Sequence, residues 1–132
     1  MKKVQRIFIY GSLYLLVQHV IWQSSLEYIM SHFNPGVIFL SILVPLILLF
    51  VAGGFYTYRA VRKLTASAFM GILLALVDTI LGTLIFLIFY WRQTEVISNG
   101  ISNSLEIQLL VVCSGIVYSF LGGLLAKRVD KQ

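Results

Sequence analysis

Polar positions break the chain into four long apolar stretches, and the third of these sets the pattern for the rest. Residues 66–91 read ASAFMGILLALVDTILGTLIFLIFYW, an unbroken hydrophobic run with a single carboxylate, Asp78, near its centre. Crossing the hydrocarbon of a bilayer takes about 20 apolar residues in helical conformation, so the run predicts a membrane-spanning helix. A carboxylate at mid-depth costs about 2.5–3.5 kcal/mol on insertion scales, so Asp78 must face protein or water.

The other stretches follow the same grammar. A first helix is predicted over about 7–31, a second over about 37–58 and a fourth over about 104–126. The first is the most polar: Gln18, His19, Gln23, Ser24, Ser25 and Glu27 crowd its second half. Asn34-Pro35-Gly36 ends it, because Asn-Pro and Pro-Gly break helices, and the second helix follows with almost no loop. Pro45, near the middle of helix two, cannot donate to the Ser41 carbonyl and predicts a kink. Arg59-Ala-Val-Arg62-Lys63-Leu-Thr65 forms a basic turn, with Thr65 or Ser67 as candidate cap of helix three. The longest loop is expected over 92–104, with Asn99-Gly100 as its turn.

Composition agrees with this pattern. The chain is 59% hydrophobic and 11% charged, with a mean hydropathy of +0.92, whereas soluble domains carry about a quarter charged residues. Its 132 residues make one domain, 1–132. The net charge of +5 does not point to nucleic acid, because the bases sit in short clusters at helix ends. Lys2, Lys3, Arg6, Arg59, Arg62, Lys63, Lys127, Arg128 and Lys131 fall on one side and Arg92 on the other. Glu27, Glu95 and Glu106 lie opposite the basic side. That asymmetry places both termini in the cytoplasm of what reads as a bacterial inner-membrane protein with two antiparallel hairpins. Phe55, Tyr56, Tyr58 and Tyr118 fall at the basic interface, and Trp22, Tyr28, Tyr90 and Trp91 at the other, where amphipathic rings settle. The basic, apolar N-terminus imitates a signal peptide but has no small-x-small cleavage site and is read as retained. Cys113, the lone cysteine, is read as packing inside an apolar segment.

Several patterns could carry packing or chemistry. Gly71, Ala75, Asp78 and Gly82 share one face of helix three, and Gly115, Ser119 and Gly123 one face of helix four, so the two small faces are expected to meet. Gly53-Gly54 before Arg59 echoes Gly122-Gly123 before Arg128, through either duplication or similar helix ends. On helix one, His19, Gln23, Glu27 and Ser31 form a stripe that cannot turn to lipid cheaply. Counted from the basic ends, Gln18, His19, Pro45, Asp78, Cys113 and Ser114 lie at one depth.

Three readings of that layer compete: a His19–Asp78 hydrogen bond that fixes register, a proton or cation path with Gln23 and Glu27 leading outward, or a polar docking face for another membrane protein. His32 reads as a solvated loop-end residue. No convergent metal-ligand set, nucleophile–base arrangement or phosphate loop is visible, so neither an enzyme nor a cofactor is expected.

The runs AGGFYTYRAVRK and ASAFMGILLALV resemble those of small uncharacterised four-helix bacterial membrane proteins, a resemblance that implies four helices and no activity. Small multidrug transporters also have four helices and a carboxylate in the first, but Glu27 lies near the outer end of its helix. Dual-topology transporters and fluoride channels have a weak charge bias, unlike this chain. The favoured expectation is an accessory protein associating with itself or a larger membrane partner. A small oligomeric transporter or channel using Asp78 and His19 is the alternative.

Overall fold

The computed structural model describes residues 2–92 and 94–132, with no side chains described over 93–105. Four helices account for nearly all of it: α1 (Lys2–His32), α2 (Pro35–Val61), α3 (Leu64–Tyr90) and α4 (Thr94–Val129). Each contains a segment long and apolar enough to cross a membrane. The helices run beyond most of their expected ends, because the flanking polar residues continue the helical backbone, while α3 stops at Tyr90, one residue short of its expected end. The largest difference is α4, which begins at Thr94, so the expected long loop is largely helix. Asn99-Gly100 lies inside that helix, where a glycine costs only about 1 kcal/mol relative to alanine. The side chains there, Glu95 included, lie outside the described residues.

The breaks are chemically explicit. Asn34 is the N-cap of α2, its Oδ1 accepting the Val37 N–H at 2.9 Å, and Pro35 opens the helix where a missing N–H costs nothing. Arg62 closes α2 in the left-handed conformation (φ 62°), its N–H donating to the Tyr58 carbonyl at 2.6 Å. Neither Thr65 nor Ser67 caps α3, since Lys63 occupies that position without a side-chain bond. The Ser67 hydroxyl instead donates across to the Gly54 carbonyl of α2 at 2.9 Å. The helix α2 is continuous through Pro45.

Glycines decide how the helices meet. Gly71 of α3 lies against the Gly115 backbone, and Gly123 of α4 against Ser67, so α3 and α4 run antiparallel along their small faces. Gly54 lies against the Ser119 backbone and Gly122 against Val51, bringing α2 equally close to α4. Gly53 and Gly123 face α3, and the other glycine of each Gly-Gly pair, Gly54 or Gly122, thus serves the α2–α4 crossing. There the buried Ser119 hydroxyl donates to the Phe50 carbonyl at 2.8 Å. Leu15, Leu46, Phe50, Met70, Leu74 and Ala75 form the core above this seam. Small residues let these helix backbones approach closely and pack by van der Waals contact.

Two expectations are corrected here. Gly82 does not face α4: a Cβ on it would lie 3.0 Å from His19 Cε1 of α1. Cys113 is exposed on the outer face of α4 and is not core packing. Helix α1 packs on α2 and α3, and among the described residues it does not pack against α4.

Candidate functional site

Away from the glycine seam the helices diverge. Small residues hold α2, α3 and α4 together at the basic end, whereas larger side chains, Trp22 of α1, Phe86 of α3 and Ile107 of α4, line the space further along. The result is a chamber of about 420 Å³ bounded by all four helices. Its floor is Leu46, part of the packed core. Its polar wall comes from Gln18, His19 and Gln23 of α1, Asp78, Thr79 and Thr83 of α3, and Gln108 of α4.

His19 and Asp78 form the centre of this wall. His19 Nε2 lies 2.7 Å from Asp78 Oδ1, and the two side chains are 23% and 14% exposed, so the contact is partly shielded. Gly82, one turn beyond Asp78, leaves the space that the imidazole fills. A carboxylate and an imidazole so placed can share a proton between them, or hold a donor that approaches the outer carboxylate oxygen. Among the described residues no group of three His, Cys, Asp or Glu side chains converges as a metal-ligand set.

Around the pair the wall is rich in unsatisfied acceptors. Gln18 Oε1, Gln23 Oε1 and Thr79 Oγ1 are buried without a hydrogen-bond partner in the protein. Each such group costs about 1–3 kcal/mol. Carboxamides turn about a broad terminal torsion, so both glutamines can present oxygen to the chamber. Thr83 is occupied differently, donating to the Thr79 carbonyl one turn back at 2.9 Å.

Other residues of the polar layer lie elsewhere. Glu27 is exposed and takes no part in the chamber wall, so the α1 stripe contributes only its first two members. Ser31 donates to the Tyr28 carbonyl at 2.9 Å and also contacts His32. His32, the last residue of α1, stacks on Tyr28 with ring centroids 4.1 Å apart. Pro45 lines a separate apolar hollow between α1 and α2, together with Tyr14 and Ile21. Ser114 folds back onto the Leu110 carbonyl of its own helix.

Three residues of the polar wall, Thr79, Thr83 and Gln108, are not among the candidate site residues of the sequence. Thr79 and Thr83 sit beside Asp78 and one turn beyond it, a signal that was available. Gln108 had none, because its role depends on how α4 is rotated. Comparison with known proteins returned no match, whether among family models, curated proteins or solved structures.

Proposed function

We propose that this is a multi-pass membrane protein whose chamber receives a small hydrogen-bond-donating solute, a protonated amine or a hydrated cation, in a proton-linked transporter or channel. The observation that carries this reading is the acceptor-rich wall, in which buried, unpartnered oxygens of Gln18, Gln23 and Thr79 belong to residues that line the same chamber as the Asp78 carboxylate. A dry structural hydrogen bond needs neither the chamber nor the surplus acceptors. A donor entering the chamber satisfies them.

The membrane setting is supported by the outer surface. Ile9, Phe39, Leu48, Leu84, Ile88 and Leu109 all point outward, an apolar coat that lipid accommodates and water does not. In this reading the helices form two hairpins, the basic ends face the cytoplasm of a bacterial inner membrane, and the chamber opens toward the opposite side.

A second reading, an accessory protein that associates with itself or a larger partner, is favoured by one feature: Glu27 is exposed on α1 outside the chamber, where a partner helix would cover it.

Flux measurements separate the two. In proteoliposomes loaded with a pH-sensitive dye, wild-type protein is expected to couple movement of a small ammonium or alkali cation to proton flux. Asp78→Asn should abolish coupling without unfolding the protein, because an amide carries no exchangeable acid proton. No flux in the wild type, combined with a stable complex with a second membrane protein, would replace the transport reading with the accessory one.

A further inference from the structure

We propose that the basic end of the groove between α1 and α2 binds one anionic phospholipid, with its phosphate among the arginines and an acyl chain along the groove. This rests on the membrane reading above but not on the chamber. Lys3, Arg6, Arg59 and Arg62 surround a hollow of about 420 Å³ at the basic end, with Tyr56 in its wall. A second, almost wholly apolar hollow of similar volume continues from it, sharing Arg6, Ile7 and Tyr56. From Arg6 to Tyr14 it follows α1 for roughly 12 Å, at about 1.5 Å per residue.

Two glycines of the groove make room for the residue at its base. A Cβ on Gly11 would lie 2.7 Å from Leu74 Cδ2, and one on Gly53 would lie 2.9 Å from Leu74 Cδ1. Without side chains there, Leu74 seats between α1 and α2 at the base of the hollow, whose sides include Tyr10, Tyr14, Leu49 and Ala52. A charged mouth on an apolar trough matches a lipid, which has an anionic diester at headgroup depth and a hydrocarbon tail below it. Guanidinium groups bind phosphate oxygens bidentately, and basic pockets between membrane helices are suited to such headgroups.

Charge placement argues against another copy of the chain as the occupant. Of the five acidic residues only Asp130 belongs to this end; Asp78 is in the chamber, and Glu27, Glu95 and Glu106 belong to the far half. Asp130 is already engaged, paired with Arg62 and lying 3.6 Å from Arg59 Nε. Four bases face one carboxylate, which leaves a cationic surplus. Asp130 is therefore an internal competitor that a lipid phosphate displaces from Arg59 and Arg62.

Native mass spectrometry of the detergent-purified protein tests this with phosphatidylglycerol, phosphatidylcholine and inorganic phosphate as separate probes. One phosphatidylglycerol should be retained in preference to phosphatidylcholine, and millimolar phosphate should not displace it. Arg6→Gln and Arg59→Gln should each weaken retention about five-fold, the equivalent of about 1 kcal/mol per basic residue near an anionic surface. Asp130→Asn should strengthen it by a similar factor. Ala52→Trp, which fills the trough without changing charge, should weaken it, with thermal melting confirming that each variant is folded. Equal retention of the two lipids, displacement by phosphate, no effect of Ala52→Trp or weaker retention by Asp130→Asn would each overturn the site. Recovery of the protein from the soluble fraction without detergent would instead overturn the membrane reading beneath it.

Discussion

Replacing Gly54 with alanine tests the α2–α4 packing on which the chamber depends. The added methyl lands on the Ser119 backbone of α4, and backbone cannot swing aside as a side chain can, so α2 and α4 must part. Overpacking of a tight contact costs about 1–3 kcal/mol. Parting the helices also weakens the Ser119–Phe50 and Ser67–Gly54 hydrogen bonds, each worth about 0.6 kcal/mol in a membrane protein. Alanine returns about 0.8–1.0 kcal/mol through its better helix propensity. These terms leave a net loss of about 1–3 kcal/mol, since the hydrogen-bond loss and the propensity gain nearly cancel. Gly36→Ala is the control: its Cβ meets only Asn34 Oδ1, at an ordinary 3.4 Å, and its effect should stay within about 0.5 kcal/mol. Both are measured by reversible unfolding in mixed detergent micelles. If Gly54→Ala is as stable as Gly36→Ala, the close α2–α4 approach is wrong, and the chamber built above it fails too.

The remaining predictions concern the wall and its supports. Asp78→Asn should cost less than about 1 kcal/mol because an amide can still hydrogen-bond His19, whereas Asp78→Leu should cost more and adding His19→Leu should recover part of the loss; strictly additive losses in this double-mutant cycle would remove the pairing. Gly82→Ala should push on the imidazole and reduce the His19–Asp78 coupling in the same cycle while leaving overall stability within about 1 kcal/mol, and unchanged coupling would show that Gly82 does not seat His19. Ser67→Ala should lower stability by about 0.6 kcal/mol through loss of its bond to the Gly54 carbonyl, and a gain in stability on unfolding would mean that the bond is not formed. Cysteines introduced beside Lys131 should resist impermeant thiol reagents in intact cells, and their labelling would reverse the orientation proposed here.

What the chain determined by itself is what depends on local chemistry and length. Four apolar runs, each sufficient to span a bilayer, follow from hydropathy alone. The break at Asn34-Pro35 follows from residues that cap or interrupt helices wherever they occur. Arg62 and Lys63, by contrast, are good helix formers, and their break rests on the left-handed turn at Arg62, with no side-chain cap from Lys63. The need of Asp78 for a polar neighbour follows from the cost of placing a carboxylate among apolar residues, and counting along two helices put His19 at its depth. Depth is nearly independent of packing, because the rise per residue is constant. Rotation is not. Which face of α1 turns inward is set by its neighbours, so His19 and Gln23 enter the wall while Glu27, two turns beyond His19 on the same stripe, stays outside it. The same holds for Gly82, whose small-residue spacing fits α4 as well as α1 and whose partner is chosen only by the diagonal placement of those two helices. Ser67 could have capped its own helix, but the tight α2–α3 crossing brings the Gly54 carbonyl within reach and claims its hydroxyl. The chamber is likewise a property of the assembled bundle: glycines bring the helices together at one end, and residues of all four helices, with surplus acceptors among them, line the space beyond.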